Sequence, residues 1–225
     1  MVRLVVRFSL AAVFLLVCAA LSVEAEETRR NEPGQFDFYV LSLSWSPSFC
    51  AAAAERGARG PATQCGARPY SFVVHGLWPQ YDRGFPEYCQ VPAPRLSRAI
   101  MASMLDLMPA PHLIFNEWDR HGTCSGLAAR AYFDEVRKAR AAVKIPPQYA
   151  DLHEPLSVTP AAVADAFKAA NPGLSANGIA VRCDRKRLTE VRICLSKDLH
   201  FRDCPEIARQ SCTRQPLIMP PQRGS

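Results

Sequence analysis

Nine cysteines constrain the fold of this 225-residue chain more than any other feature of its sequence. One of them lies in an apolar N-terminal segment, and the other eight are Cys50, Cys65, Cys89, Cys124, Cys183, Cys194, Cys204 and Cys212. An even number of cysteines behind an export signal is typical of a disulfide framework formed in an oxidising compartment. A zinc site is the competing interpretation, but the sequence contains no CxxC pair, so we expect disulfide bonds.

The N-terminal segment has the pattern of a secretory signal peptide over residues 1–25. Arg3 and Arg7 precede an apolar run that reaches Val23, and Val23 and Ala25 supply small residues at the cleavage positions. A membrane anchor is the alternative, but the apolar run is short and acidic residues follow it. The sequence therefore predicts an exported protein, periplasmic or extracellular, that leaves the membrane once the signal is cleaved.

The remaining chain has the composition of one globular domain, predicted over residues 26–212. The full chain is 48% hydrophobic and 21% charged, which is ordinary for such a domain. Without the signal peptide, 25 basic and 20 acidic residues leave a net charge of +5. This mild excess is compatible with a polyanionic partner and equally with solvated basic faces. Residues 213–225 have little apolar content and are predicted to form a flexible tail.

Periodicity predicts an α+β fold in a single domain, with a central antiparallel sheet, flanking helices and stabilising disulfides. Strands are predicted at 36–46, 70–76, 179–182 and 188–195. Helices are predicted at 94–108, 116–124, 127–143 and 160–170. The last helix has the clearest start, because Thr159 can cap it and Pro160 occupies its first turn. Because the second strand ends at Gly76, we expect His75 at the end of a strand, beside a cleft.

Two short segments carry the candidate chemistry, and each contains one histidine. Residues 71–80 read SFVVHGLWPQ around His75, and residues 115–124 read FNEWDRHGTC around His121. Two imidazoles with ordinary pKa values of roughly 6.5 can hold opposite protonation states near neutrality, so one can remove a proton while the other supplies one. Phosphodiester cleavage needs this pairing.

The second segment also groups three ionisable side chains. On a helix, the spacing of Glu117, Arg120 and His121 places a carboxylate, a guanidinium and an imidazole on one face. An isolated pattern of this kind is more often a surface salt bridge beside an unrelated histidine. The adjoining glycine and cysteine, and the second histidine segment, favour an active site.

Cysteine spacing favours local pairing, although the sequence alone does not fix the connectivity. Local closure favours a bond between Cys50 and Cys65. It also favours two nested bonds, with Cys194–Cys204 inside Cys183–Cys212. A bond between Cys89 and Cys124 is a further hypothesis. It would tie the two histidine segments together and help to hold their side chains in register.

The motifs HGLWP and EWxxHGTC, in this order and with these cysteines, resemble the two signature segments of the ribonuclease T2 family. The resemblance spans roughly residues 36 to 212, because YVLSLSWSPSFC and LTEVRICLSKDLHFRDC also resemble family segments. It implies an α+β endoribonuclease that cleaves single-stranded RNA by transphosphorylation, through a 2′,3′-cyclic phosphate to a 3′-phosphate. No metal or other cofactor is implied, and DNA, which lacks the 2′-hydroxyl, should not react.

The resemblance also implies residue roles. His121 matches the general base that takes the proton of the 2′-hydroxyl, and His75 matches the general acid that protonates the leaving 5′-oxygen. Glu117 and Arg120 match positions that stabilise the phosphorane-like transition state. Arg120 stands where lysine is usual, and Asn116 stands where the family usually has a third histidine. Asn116 can donate a hydrogen bond to phosphate but carries no charge, so weaker phosphate binding is expected.

Several other side chains are weaker candidates. Trp78 is expected to pack within its motif or to bind substrate by stacking on a base. Leu113 falls where the family often has a stacking aromatic residue, and Tyr81 and Phe115 are candidates to replace it. Histidines outside both motifs are expected to have no catalytic role; they are His112, His153 and His200.

Two other classes of function compete with this interpretation. One is a secreted RNA-binding or signalling homologue without catalysis, against which the intact pair of His75 and His121 argues. The other is a metal-dependent nuclease with Glu117 and the histidines as ligands, which predicts inhibition by chelators and activity on DNA. A monomer is the expected oligomeric state.

Overall fold

The structure is a computed structural model that describes residues 31–66 and 68–222. The predicted signal peptide, residues 1–25, lies outside the described residues, and export therefore stays a prediction. Within residues 31–66 and 68–222, no helix combines the length and the apolar character needed to cross a membrane.

A four-stranded antiparallel sheet forms the centre of the domain, in the order β2-β1-β5-β4. Its strands are β1 (Phe38–Trp45), β2 (Phe72–Gln80), β4 (Ile179–Cys183) and β5 (Leu188–Leu195). The short strands β3 (Leu156–Val158) and β6 (Leu217–Met219) pair separately as a second antiparallel sheet. The predicted α+β class with a central antiparallel sheet and flanking helices is confirmed.

Seven α-helices lie in the part of the chain that the structure describes. They are α1 (Ser46–Glu55), α2 (Ala62–Cys65), α3 (Arg98–Ala102), α4 (Pro111–Arg120), α5 (Ala129–Ala142), α6 (Pro160–Ala170) and α7 (Pro205–Ala208). The start of α6 is as predicted, because the Thr159 hydroxyl accepts a hydrogen bond of 3.1 Å from the backbone N–H of Ala162.

Two helix predictions differ from the structure. The helix predicted at 94–108 is reduced to α3, and turns follow it, in which Met104 and Met108 are still buried. Three-residue apolar spacing fits successive tight turns as well as a helix, so the pattern did not separate the two. The helix predicted from residue 116 begins at Pro111, because proline is favoured in the first turn of a helix and does not only end one.

The main core lies on one face of the central sheet. Alternate residues of β1 point into it, including Leu41, Leu43 and Trp45, and all three are fully buried. Helices α4, α5 and α6 cover this face with Trp118, Phe133 and Phe167 among other side chains. The intervening residues of β1 point to the opposite face, which carries only a small apolar cluster around Val40 and leaves room for polar side chains.

Residues 213–222 fold against the domain, contrary to the flexible tail predicted over 213–225, of which residues 223–225 lie outside the described residues. Leu217 and Met219 are fully buried in β6, which pairs with β3. The Trp45 indole donates a hydrogen bond of 3.0 Å to the carbonyl oxygen of Pro220, and the backbone N–H of Gln222 donates to Leu152 at 2.9 Å. Burial of the apolar triplet at 217–219 is the physical reason, because it offsets the entropy lost on ordering the segment.

Four disulfide bonds join Cys50 to Cys65, Cys89 to Cys124, Cys183 to Cys212 and Cys194 to Cys204. The three local pairs that the spacing favoured are present, and so is the hypothesised bond between Cys89 and Cys124. The second bond joins the segment after β2 to the 3₁₀ turn Gly122–Ser125, which directly follows α4. It therefore links the two segments that contain His75 and His121.

Candidate active site

The candidate site lies on the face of the sheet opposite the main core. Neighbouring strands place four polar side chains there, because Ser42 of β1 pairs with Arg192 of β5 and Ser44 pairs with Glu190. These residues alternate with core residues along both strands, so all four point away from the main core. Two of them, Ser44 and Glu190, lie 3.4 Å and 3.1 Å from Nδ1 of His75.

His75 reaches this face through a β-bulge. Gly76 pairs with Ser42 and Val74 pairs with Leu43, so His75 is the extra residue of β2 without a partner on β1. A bulge re-aims a side chain locally, and 39% of the His75 side chain is exposed. The prediction that His75 ends a strand is wrong: β2 continues through Pro79, which is tolerated because β2 is an edge strand.

Helix α4 and its C-terminal end supply the second half of the site. Glu117 and Arg120 lie in the last turns of α4, and His121 is the residue that ends it. Glu117 and His121 are 6% and 7% exposed, whereas Arg120 is exposed. Of the three side chains predicted on one helix face, Glu117 and His121 therefore point inward, while Arg120 lies at the surface.

A cavity of about 290 Å³ joins the two halves. Its walls are formed by Val40, His75, Trp78, Gln80, Phe85, Glu117, Arg120, His121, Arg192, Ile207 and Gln210. Five of the six predicted catalytic or substrate-binding residues lie among them. Asn116, the sixth, is exposed on α4 and does not belong to these walls.

Trp78 connects the two histidines. Its indole N–H donates a hydrogen bond of 2.6 Å to Oε2 of Glu117. Its ring centroid lies 5.4 Å from that of His75 and 5.3 Å from that of His121. Trp78 thus fixes the buried carboxylate and contacts both imidazoles.

His75 is held between two carboxylates. Its Nδ1 lies 3.1 Å from Oε1 of Glu190, and its Nε2 lies 3.5 Å from Oε1 of Glu117. Burial alone would lower the pKa of His75, but the hydrogen bond to Glu190 and the charges of both carboxylates outweigh it. The pKa of His75 is therefore raised above its ordinary value.

The sequence motifs did not identify Glu190 and Arg192 as residues of the site. Glu190 is 7% exposed and accepts hydrogen bonds from Ser42 and from Nε of Arg192, the latter at 2.9 Å. Burial raises the pKa of Glu190, but hydrogen bonding to His75 and the charge of Arg192 give a net lowering. The available signal was a pair of opposite charges two residues apart in a strand that is otherwise mostly apolar.

His121 and Glu117 have pKa values shifted toward their neutral forms. Burial, followed by the charges of Arg120, His75 and Arg192, lowers the pKa of His121 to about 3. Burial also raises the pKa of Glu117, and the opposing effects of His75 and Trp78 do not cancel it. The two shifts, upward for His75 and downward for His121, favour a protonated His75 beside a neutral His121, which is the pairing that acid–base catalysis requires.

The remaining candidates lie at the edge of the site or away from it. Arg120 lines the cavity, and its Nε donates to Oε2 of the exposed Glu87 at 2.8 Å. Leu113 packs against the main core, Tyr81 lines a neighbouring cavity, and Phe115 is 41% exposed. Trp118 packs in the main core. The other three histidines lie outside the walls of the cavity, and the described residues contain no group of acidic, histidine or cysteine side chains arranged to hold a metal ion.

Comparison with known proteins identifies similar chains. The model of the ribonuclease T2 family matches residues 36–204. A ribonuclease of Aeromonas hydrophila is 35% identical over 175 residues, which are 75% of this chain and 76% of the relative. The fold is similar to that of an RNase-related protein from Calystegia sepium, with a TM-score of 0.64 and 19% identity over 84% of this chain and 98% of that one. It is also similar to RNase NT, solved in complex with 5′-AMP, with a TM-score of 0.52 and 23% identity over 76% and 91% of the two chains.

Proposed function

Since this chain belongs to the ribonuclease T2 family and is an endoribonuclease, we propose that it cleaves single-stranded RNA by transphosphorylation with two histidines as acid and base. The observation that carries this proposal is the pair His75 and His121, which line one cavity with pKa values shifted in opposite directions. The family resemblance inferred from the motifs is confirmed, while the roles of individual residues remain proposals.

In the first step, His121 takes the proton of the ribose 2′-hydroxyl. The oxygen then attacks the adjacent phosphorus. Because Nδ1 of His121 is fully buried and has no hydrogen-bond partner among the described residues, Nε2 is the nitrogen left to accept this proton. The low pKa of His121 keeps it neutral in the free enzyme, and an anionic phosphodiester in the cavity would raise its basicity.

As the bond from phosphorus to the 5′-oxygen breaks, His75 gives its proton to the leaving oxygen. Its Nδ1 is engaged by Glu190, so Nε2 faces the reacting group. The products are a 2′,3′-cyclic phosphate and a free 5′-hydroxyl. Water can then attack the cyclic phosphate with the roles of the histidines reversed, which leaves a 3′-phosphate.

Glu117 and Arg120 act on the phosphoryl group. The buried Glu117 has a raised pKa, and when its carboxyl takes up a proton it can donate a hydrogen bond to a phosphoryl oxygen. Arg120 supplies a fixed positive charge from the wall of the cavity. Such preorganised groups contribute most when charge develops in the transition state.

The setting of this activity is also part of the proposal. The signal peptide pattern at residues 1–25 and the disulfide bonds support export to the periplasm or the extracellular space. We propose that the mature protein acts as a monomer, without a metal cofactor and without activity on DNA.

Product analysis tests the proposed function. The purified mature protein is incubated with RNA and with DNA of the same sequence, in excess chelator, and the ends of the products are identified by mass spectrometry. We expect cleavage of RNA alone, with 2′,3′-cyclic phosphate ends. Products with 5′-phosphate ends, loss of activity in chelator, or binding of RNA without cleavage would overturn the proposal.

Replacement of Glu190 by glutamine is expected to shift the pH dependence of kcat/KM. The activity requires protonated His75, so it falls as pH rises through the pKa of His75, which Glu190 raises. Without that charge, this alkaline limb should move to lower pH, while the acidic limb set by His121 stays in place. Asp198→Asn removes one exposed negative charge outside the cavity and serves as control. An alkaline limb at the wild-type pH in Glu190→Gln would show that Glu190 does not set the pKa of His75.

Replacement of Asn116 by histidine is expected to raise kcat/KM on a dinucleotide several-fold, because a charged donor binds phosphate roughly twice as strongly as a neutral one. Asn116→Gln keeps the amide without adding charge and should leave the rate near that of the wild type. Unchanged kinetics in Asn116→His would show that residue 116 does not contact phosphate.

A further inference from the structure

We propose that Arg192 is a phosphate-binding residue of this site, a role that rests on the proposed function and deepens it. The motifs did not point to Arg192, which comes from β5 in the middle of the sheet. It lines the same cavity as His75 and His121. The ligand would be the anionic phosphodiester at the position of cleavage.

Three contacts fix the guanidinium of Arg192. Its Nε donates to Oε2 of Glu190 at 2.9 Å, and one of its terminal nitrogens, Nη1, donates to the side chain of Gln210 at 3.2 Å. The guanidinium carbon also lies 4.9 Å from the ring centroid of Trp78, within the range of a cation–π contact. The other terminal nitrogen, Nη2, has no hydrogen-bond partner among the described residues. A preorganised guanidinium with an available donor is well suited to bind a phosphate oxygen.

The charge of Arg192 acts on both halves of the site. It contributes to lowering the pKa of His121 and opposes the rise in the pKa of His75. A phosphodiester must lie between these two imidazoles to react, and it would therefore lie within the field of Arg192. The buried carboxylates Glu117 and Glu190 make the cavity less favourable for an anion, which increases the need for a second cation.

Arg192 is also better restrained than the cation predicted from the motif. Arg120 is paired with Glu87, and both side chains are exposed, with 47% and 38% of their surface accessible. Exposed pairs of this kind are weak and leave the side chain mobile. Arg192 is 21% exposed and paired with a buried carboxylate, so it offers a positive charge at a defined position. Asn116 offers none.

Binding of inorganic phosphate tests this proposal separately from catalysis. We expect Arg192→Gln to weaken phosphate binding, measured by calorimetry, by about tenfold or more, because it removes a charged hydrogen-bond donor. Arg192→Lys keeps the charge but loses the planar guanidinium with its paired N–H donors, and should weaken binding less. Arg185→Gln removes the same charge from the exposed turn between β4 and β5, outside the walls of the cavity, and should bind phosphate like the wild type.

Kinetics on RNA separate direct binding from an indirect effect through Glu190. If Arg192 binds phosphate, kcat/KM falls together with phosphate affinity in Arg192→Gln, and Arg192→Lys restores part of both. A fall in kcat with wild-type phosphate affinity would overturn the proposal, because Arg192 would then only hold Glu190 and His75. A wild-type protein that yields no cyclic phosphate would instead overturn the proposed function, whatever the affinities show.

Discussion

Replacement of His121 by alanine is expected to lower kcat/KM on RNA by roughly 10²- to 10⁴-fold, the usual contribution of a general base. The loss should appear mainly in kcat, since the imidazole accepts a proton only as the reaction proceeds. Binding of a 2′-deoxy dinucleotide, which cannot be cleaved, should change little.

His112→Ala is a matched control for this loss. His112 lies in the first turn of the same helix, α4, and is exposed outside the cavity. Its replacement should leave kcat/KM unchanged. Equal effects of the two substitutions, or a His121→Ala variant that keeps more than a tenth of the wild-type rate, would contradict the role of His121 as base.

Replacement of Gly76 by alanine is expected to lower both the stability of the protein and its kcat/KM. A Cβ atom at residue 76 would collide with the carboxylate of Glu117 and the indole nitrogen of Trp78, which are joined by a hydrogen bond. Overpacking and a broken buried hydrogen bond each cost roughly 1–3 kcal/mol, so stability should fall by about 2–6 kcal/mol. The displaced carboxylate should also lower kcat/KM by about 10²-fold.

A double-mutant cycle identifies the cause of this effect. Glu117→Ala removes the side chain that a new Cβ would strike, so Gly76→Ala should destabilise that variant less than it destabilises the wild type. Unfolding in denaturant measures both costs. A Gly76→Ala protein with wild-type stability and activity would show that the contact between Glu117 and Trp78 is not needed.

The sequence predicted those features that depend on local signals. The cap at Thr159 and the start of α6 at Pro160 need only neighbouring residues, and both are present in the structure. The spacing of His75 and Trp78 within HGLWP, and of Glu117 and His121 within the second motif, carried the family resemblance. These four side chains line one cavity in the structure, as expected if the motifs encode tertiary contacts shared by the family.

Features that depend on pairing or packing with a distant segment of the chain could not be predicted from the sequence. The bulge at His75 is defined by how β2 pairs with β1, which the sequence does not show. The predicted end of β2 was therefore too early. Glu190 sits in an alternating strand whose polar side chains would read the same on a solvated face, and only packing against His75 reveals its burial. The ordering of Leu217 and Met219 depends on β3, which lies about sixty residues earlier in the chain.

A substrate that needs no acid tests the assignment of the two histidines most directly. In a dinucleotide whose bridging 5′-oxygen is replaced by sulfur, the leaving thiolate departs without protonation, whereas the attacking 2′-hydroxyl still needs a base. We expect His75→Ala to cleave this substrate at nearly the wild-type rate, although it is slow on RNA, and His121→Ala to be slow on both. Recovery of His121→Ala instead, or of neither variant, would contradict the roles of His75 as acid and His121 as base.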